Sequence, residues 1–86
     1  MITTARQMVD RLREWVATAA ERGRVHHCTI QLRIEGEGLL IVAASLDDEH
    51  TAATLVPWPD VLASGAAVTA AITAVAIDLE RQGTTA

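Results

Sequence analysis

Two histidines, one cysteine and an aspartate are the residues of this chain whose types and spacing could do chemistry. His26 and Cys28 lie two positions apart in an alternating segment, and Asp47 and His50 lie in a polar turn after the next apolar segment. Imidazole, thiolate and carboxylate groups bind zinc, and a cysteine beside a histidine is the pair that a nucleophilic enzyme uses. The spacing matches no known zinc motif, and a free cysteine on the core side of a strand behaves as a small hydrophobe. The favoured interpretation is an edge histidine beside a loop acid, without metal, cofactor or catalytic residue; a metal- or cysteine-dependent enzyme is the weaker alternative.

The segment Trp58-Pro59-Asp60 resembles the mobile acid loop of protein tyrosine phosphatases, in which the aspartate is a general acid. That family also needs a cysteine nucleophile followed by five residues and an arginine. Here Cys28 is followed by only four residues before Arg33, and the stretch alternates as a strand does, so its N–H groups cannot all point at one phosphate. A core role for Trp58 and a charge near a helix N-terminus for Asp60 explain the segment better.

The first elements that would position these groups follow from hydrophobic periodicity. A stripe of apolar residues at helical spacing predicts a helix over residues 4–23, capped by Thr4 and ended by Gly23. Alternation predicts a half-buried strand over residues 25–34, and an uninterrupted apolar run predicts a central strand over residues 39–46.

The second half of the chain is predicted to add a short strand over residues 51–56 and a long helix over residues 60–82, with a frayed tail over 83–86. Ser64-Gly65 is a place where that helix could kink or split. No charge occurs from Val61 to Ile77, a length at the low limit of ~17–25 residues for a membrane span. Its many small residues make it weakly apolar, which favours a core helix with partial dimer contact over a membrane helix.

These elements predict an α+β fold in one domain over residues 1–86. The order α-β-β-β-α is most simply packed as a three-stranded antiparallel sheet with two helices on one face. That order is similar to the double-stranded-RNA-binding domain, but the basic cluster that this family has at the start of its second helix is replaced here by Pro59-Asp60-Val61. Residues 38–45 also resemble the second strand of roadblock-type dimerisation domains, although the strands that follow that family's next helix are missing.

The central strand predicts an interaction surface. If Gly36-Glu37 forms a tight turn, the numbers of paired residues sum to 73, so that Ile41 faces Leu32 on the helix side. The other side of the strand then presents an apolar row to solvent, and such a row on an uncovered sheet face is typical of an interface. The predicted interface residues are Leu40, Val42, Ala44 and Leu46.

The charge distribution limits the classes of partner that the chain is expected to bind. The net charge is −4, with six arginines in residues 1–34 and eight acids in residues 35–86. An acidic chain without lysine is a poor binder of phosphate backbones, so nucleic acid is not expected as a partner. Residues 2–8 hold no apolar core of a secretory signal, so the sequence predicts a cytoplasmic protein. The lack of Lys, Asn, Phe and Tyr favours a GC-rich bacterial or phage genome.

The sequence therefore leaves three functional hypotheses. The first is a small non-catalytic protein–protein interaction module that binds itself as a homodimer and also a larger protein. The second is a small acidic inhibitor of a host complex, of the kind that phages use against bacterial defence. The third is the metal- or cysteine-dependent enzyme that would use His26, Cys28, Asp47 and His50.

Overall fold

The computed structural model of the chain describes residues 5–47 and 49–84. The predicted α+β order is confirmed, with a three-stranded antiparallel sheet between helices at the two ends. The predicted Thr4 cap lies outside the described residues, as do Asp48 and the last two residues of the predicted tail. In chain order the elements are α1 (Ala5–His26), β1 (Cys28–Ile34), β2 (Gly38–Ser45), β3 (Thr51–Pro57), α2 (Trp58–Ala63) and α3 (Gly65–Thr84).

The first helix is longer than its sequence pattern indicates. Gly23 was expected to end it, but α1 continues for three more residues to His26. A Cβ atom at position 23 would lie 2.6 Å from the carbonyl oxygen of Cys28, so this buried glycine allows close approach of the helix to β1. The chain reverses instead at His27, whose φ of 55° lies in the left-handed region. The first strand consequently begins at Cys28 rather than at residue 25.

The pairing of β1 with β2 follows the predicted register. Leu32 lies opposite Ile41 and Ile30 lies opposite Ala43, which are the pairs expected from a tight turn at Gly36-Glu37. β3 pairs with the other edge of β2, so the apolar strand is the middle strand of the sheet. This position explains its composition, because a central strand packs against a neighbour on each side.

Both long helices pack on the same face of the sheet, as predicted. Helix α1 packs over β1 and beside α3, while α3 packs over β2 and β3. The core forms between these layers, where Leu39, Ile41 and Ala43 of β2 are buried. Helix α1 contributes Trp15 and Ala19 to this core. The main α2 and α3 residues in the core are Val61, Val68, Ile72, Val75, Ala76 and Leu79.

The predicted second helix is split in two. Ser64 has an extended backbone, with φ −156° and ψ 122°, and separates α2 from α3. Its hydroxyl oxygen accepts the N–H of Ala66 at 3.2 Å, which satisfies one of the free amides at the start of α3. Within residues 5–47 and 49–84, no helix has the length and apolar character to cross a membrane.

Trp58 connects the start of α2 to the end of the sheet that holds the β1–β2 turn. Its indole Nε1–H points at two carbonyl oxygens of the β1–β2 turn, that of Glu35 at 3.0 Å and that of Gly36 at 3.1 Å. The half-buried ring also packs against the hydrophobic core. The tryptophan of the Trp-Pro-Asp segment therefore has a structural role, in keeping with the interpretation drawn from the sequence.

Candidate functional site

The imidazole of His26 contacts an acid other than the one expected. His26 is the last residue of α1, and its Nδ1 atom lies 3.0 Å from Oε2 of Glu80 on α3. The register in which paired residue numbers sum to 73 also predicts His26 opposite Asp47. That pairing is wrong, because the β1–β2 ladder begins with Cys28 opposite Ser45. A histidine near a helix C-terminus is favourably placed with respect to the helix dipole. Its contact with Glu80 ties the end of α1 to α3.

Cys28 has the environment of an unreactive thiol. It is buried at the start of β1 and belongs to the hydrophobic core. Burial raises the pKa of the Cys28 thiol above its ordinary value of 9.0, and the negative charge of Glu80 raises it further. Nucleophilic attack and metal binding both need the thiolate, so this environment disfavours both.

Asp47 organises the turn between β2 and β3. The Ser45 hydroxyl donates to Oδ1 of Asp47 at 2.5 Å, and the Glu49 backbone N–H donates to the same oxygen at 3.1 Å. These two hydrogen bonds, that from Ser45 first, hold the pKa of the Asp47 carboxyl below its ordinary value. The backbone N–H of His50 donates in turn to Oγ of Ser45 at 3.1 Å. The Asp47 carboxylate is thus engaged in turn formation, as an Asx-type turn requires.

The four candidate residues therefore form two sets of structural contacts. His26 and Cys28 lie near Glu80, whereas Asp47 and His50 are tied to Ser45. Among the residues that the structure describes, no group of three or more His, Cys, Asp or Glu side chains could hold a metal ion.

The state of Cys28 gives a measurable expectation. A thiol reagent such as DTNB at pH 8 should modify the folded chain at least about tenfold more slowly than the urea-unfolded chain. The free energy of unfolding should be insensitive to this group well below pH 9.0 and should fall as the pH rises above it, because the unfolded thiol ionises first. The Cys28→Ala variant should lack that alkaline decrease. Modification of the folded protein at the unfolded rate would show that the thiol is accessible.

The sheet face opposite the helices holds most of the interface residues that the sequence predicts. Odd-numbered β1 and β3 residues and even-numbered β2 residues share this side of the pleat. Its centre is apolar, and Arg33 is the one charged side chain among its nine positions. We call it the open sheet face and, leaving out the paired end positions Gly38 and Pro57, define it as Thr29, Gln31, Arg33, Leu40, Val42, Ala44, Thr51, Ala53 and Leu55.

The four predicted interface residues are not equivalent in the structure. Leu40, Val42 and Ala44 lie in the middle of the open sheet face and are half-buried by their neighbours on β1 and β3. Leu46 follows the last residue of β2 and is 69% exposed in the turn. Leu46 is therefore placed at the rim of this surface rather than in its centre.

Further apolar surfaces lie on the helices, and the first of them is on α3. The outer face of α3 is lined by small residues, and the hydroxyls of Thr69 and Thr73 donate to the carbonyls of Gly65 and Thr69, which leaves mainly methyl groups outward. We call this the α3 outer face, and it consists of Ala66, Thr69, Ala70, Thr73, Ala74 and Ile77.

The second surface is a groove between α1 and β1. Its volume is about 380 Å³. The sequence pattern did not predict it, because a residue such as Val16 falls in the same helical stripe as the core residues and yet is 58% exposed. We call it the α1–β1 groove, and its lining residues are Val16, Ala19, Ala20, Ile30, Gln31, Leu32 and Arg33.

No protein-family model matches the chain, and no curated protein or solved structure matches it either. The surfaces of the chain itself are therefore the observations that bear on its function.

Proposed function

We propose that this chain is a non-catalytic protein–protein interaction module that forms a homodimer through its open sheet face. The observation that supports the proposal is the composition of that face. Apolar side chains run along its middle strand and continue onto β3 as Ala53 and Leu55, whereas its polar side chains lie along β1 and at Thr51, with Arg33 as its charged member. An interface core is typically depleted of charge in this way, and its rim is polar.

The arrangement of the layers also supports the proposal. Both long helices pack on the other side of the sheet, so that the described residues place no second layer over Leu40 and Val42. A sheet whose uncovered face is apolar becomes more stable when a second layer covers that face. A second copy supplies such a layer with the same charge-poor surface, as a two-fold contact requires.

The area of the open sheet face limits the expected affinity of the dimer. Three strands of about seven residues span about 23 Å by about 14 Å, or roughly 320 Å² on each copy. The total of roughly 640 Å² is well below the ~1,200–2,000 Å² of a stable interface. We therefore propose a weak, reversible dimer with a dissociation constant in the micromolar range or above.

The α3 outer face is the second candidate for self-association. It points away from the sheet, because the buried residues Val68, Ile72 and Val75 lie on the opposite side of that helix. A single two-fold contact cannot use both this face and the open sheet face. The hydroxyls of its two threonines are satisfied within the helix, so the face presents small and mainly apolar groups. An experiment must therefore distinguish this face from the open sheet face.

Two charge insertions separate these alternatives. Val42→Glu places two carboxylates at the centre of the proposed interface, so sedimentation equilibrium should show at least about a tenfold weaker dimer. Ala70→Glu makes the matched change on the α3 outer face and should leave association within about twofold of the parent chain. If Ala70→Glu dissociates the dimer and Val42→Glu does not, the interface is α3.

The acidic-inhibitor hypothesis stays a prediction. Glu35 and Glu37 lie at one end of the sheet, and Asp47 and Glu49 lie at the other. Eight residues of β2 separate these pairs by about 25 Å, so the described carboxylates do not form one continuous acidic surface. The enzyme hypothesis likewise draws no support from the buried, protonated state of Cys28.

A further inference from the structure

The outer edge of β1 presents backbone hydrogen-bonding groups to solvent. The Glu35 N–H donates to the Gly38 carbonyl at 2.9 Å, which makes these two residues a hydrogen-bonded pair at the end of the β1–β2 ladder. Such pairs recur at every second residue of an antiparallel ladder. The odd-numbered residues of β1 therefore bond to β2, while Ile30 and Leu32 point their N–H and C=O groups outward. Among the described residues, no strand lies beyond β1.

This edge has only one of the features that protect sheet edges, the charge of Arg33 near its end. β1 contains no proline or lysine, and its seven pairs with β2 run without a bulge. The opposite edge is different, because β3 ends in Pro57 and the Gln82 side chain donates to the Thr51 carbonyl at 3.0 Å. The β1 edge is therefore the one prepared to accept another strand.

The α1–β1 groove lies along that same edge. Val16 and Ala20 of α1 form its roof, and Ile30 and Leu32 of β1 form its floor. A strand added beside β1 would direct every second side chain toward this apolar roof and the others toward solvent. The groove volume of about 380 Å³ falls within the ~300–1,000 Å³ of typical ligand sites.

A single extended peptide is the simplest occupant of this edge. In a symmetric antiparallel pairing of β1 with its own copy, the two strands lie about 4.8 Å apart. Each copy would bring its own α1 to the joined strands, because α1 packs over β1. Packed helices keep about 8–10 Å between their axes, so each α1 would have to lie back from its edge. A peptide without a helix above it carries no such requirement.

The positive charge of Arg33 favours a peptide that contains an acidic residue. Arg33 is the charged residue along the groove, and the pleat of β1 places its side chain on the open-face side, where it donates to Oε1 of Gln31 at 3.5 Å. An acidic residue at a position of the bound peptide that points away from the apolar roof would pair with this arginine.

We infer that the α1–β1 groove binds an extended segment of a partner protein, with apolar side chains at alternate positions and an acidic residue beside Arg33. The inference rests on the proposed role as an interaction module and names the partner segment. Its readout at Val16 is separate from the dimer readout at Val42, so that either proposal can fail while the other stands.

Selection of peptides from a phage-displayed library of random dodecamers tests the inference. Peptides enriched on the immobilised parent chain, relative to the Val16→Glu variant, should alternate apolar and polar residues and should contain an excess of Asp and Glu. Enrichment of peptides with apolar residues at a spacing of three and four would indicate a bound helix and overturn the inference. Equal recovery on both proteins would overturn it as well.

Amide hydrogen exchange with the most enriched peptide, made synthetically, locates its binding. The amides of Ile30 and Leu32 should become protected, whereas that of Gln31 should change little because it already bonds to β2. Val16→Glu should weaken binding at least about tenfold, since it places a charge in the apolar roof. Val25→Glu is the matched control on α1, since Val25 is 56% exposed and outside the groove, and it should change affinity by less than about twofold. Unchanged exchange at Ile30 and Leu32, or equal weakening by both variants, would contradict the proposed site.

Discussion

Replacement of Trp15 by alanine should have the largest effect on stability of any single substitution considered for this chain. Trp15 is 2% exposed and lies in the core at the point where α1 meets Gly65, the first residue of α3. Removal of a buried tryptophan costs about 3–5 kcal/mol through lost burial and the cavity left behind. A domain of this length has a total stability of only about 4–13 kcal/mol. Trp15→Ala should therefore lose a large fraction of that stability, and urea titration monitored by circular dichroism would show this as a much lower unfolding midpoint.

The neighbouring residue gives the control for that substitution. Val16 is 58% exposed on the same helix, so Val16→Ala should change the free energy of unfolding by no more than about 0.5 kcal/mol. If Trp15→Ala and Val16→Ala were equally stable, the described contact of α1 with the sheet and α3 would be wrong.

Replacement of Gly38 by alanine should have the second largest effect. A Cβ atom at this position would collide with the carbonyl oxygen of Val56 on β3 and would lie 2.9 Å from Cα of Pro57. Both atoms belong to the backbone, so this clash is removed only if β2 and β3 move apart at the end of the sheet near Trp58. Overpacking of this kind costs about 1–3 kcal/mol and occasionally more, and we expect Gly38→Ala to lie at the upper end. The measurement is again the midpoint of urea unfolding.

Gly36 provides the matched comparison two residues away. A Cβ atom there would have no neighbour within 4 Å, and its φ is not positive. Gly36→Ala should therefore be neutral or should stabilise the fold by up to about 1 kcal/mol, because alanine restricts the unfolded chain. Destabilisation by Gly36→Ala as large as that by Gly38→Ala would mean that turn flexibility, not the contact with β3, determines the need for glycine at position 38.

The sequence predicted the sheet well because two independent constraints agreed there. The alternation in β1 and the apolar run in β2 each indicated a strand, and the short turn at Gly36-Glu37 left one register that placed Ile41 opposite Leu32. A shift by one residue would have turned the apolar row of the neighbouring strand to the wrong face. The open sheet face was therefore foreseeable, apart from the exact place of Leu46.

The end of α1 was not foreseeable from local pattern. Gly23 has the chemistry of a helix stop, but its role is set by a contact with Cys28, five residues later. That contact extends the helix to His26 and moves the imidazole from the sheet to the side of Glu80. The predicted cluster of His26 with Asp47 is therefore absent, because the predicted end of α1 was wrong by three residues.

The α1–β1 groove was missed for a different reason. A helical stripe shows which residues are apolar, but it does not show how much of the stripe the sheet covers. Val9 and Val16 belong to the stripe and remain exposed because the sheet ends at β1. Which residues of the stripe are covered and which are exposed depends on the position of α1 relative to the β1 edge.

Methyl NMR spectra over a dilution series test the proposed dimer most directly. Between about 1 mM and about 10 μM, a dimer with a dissociation constant of about 100 μM changes from largely associated to largely dissociated. We expect the methyl resonances of Leu40, Val42 and Leu55 to shift together along this series, while that of Ile77 on the α3 outer face stays constant. Shifts at Ile77 with constant Leu40 and Val42, or no concentration dependence at any of these methyls, would contradict self-association through the open sheet face.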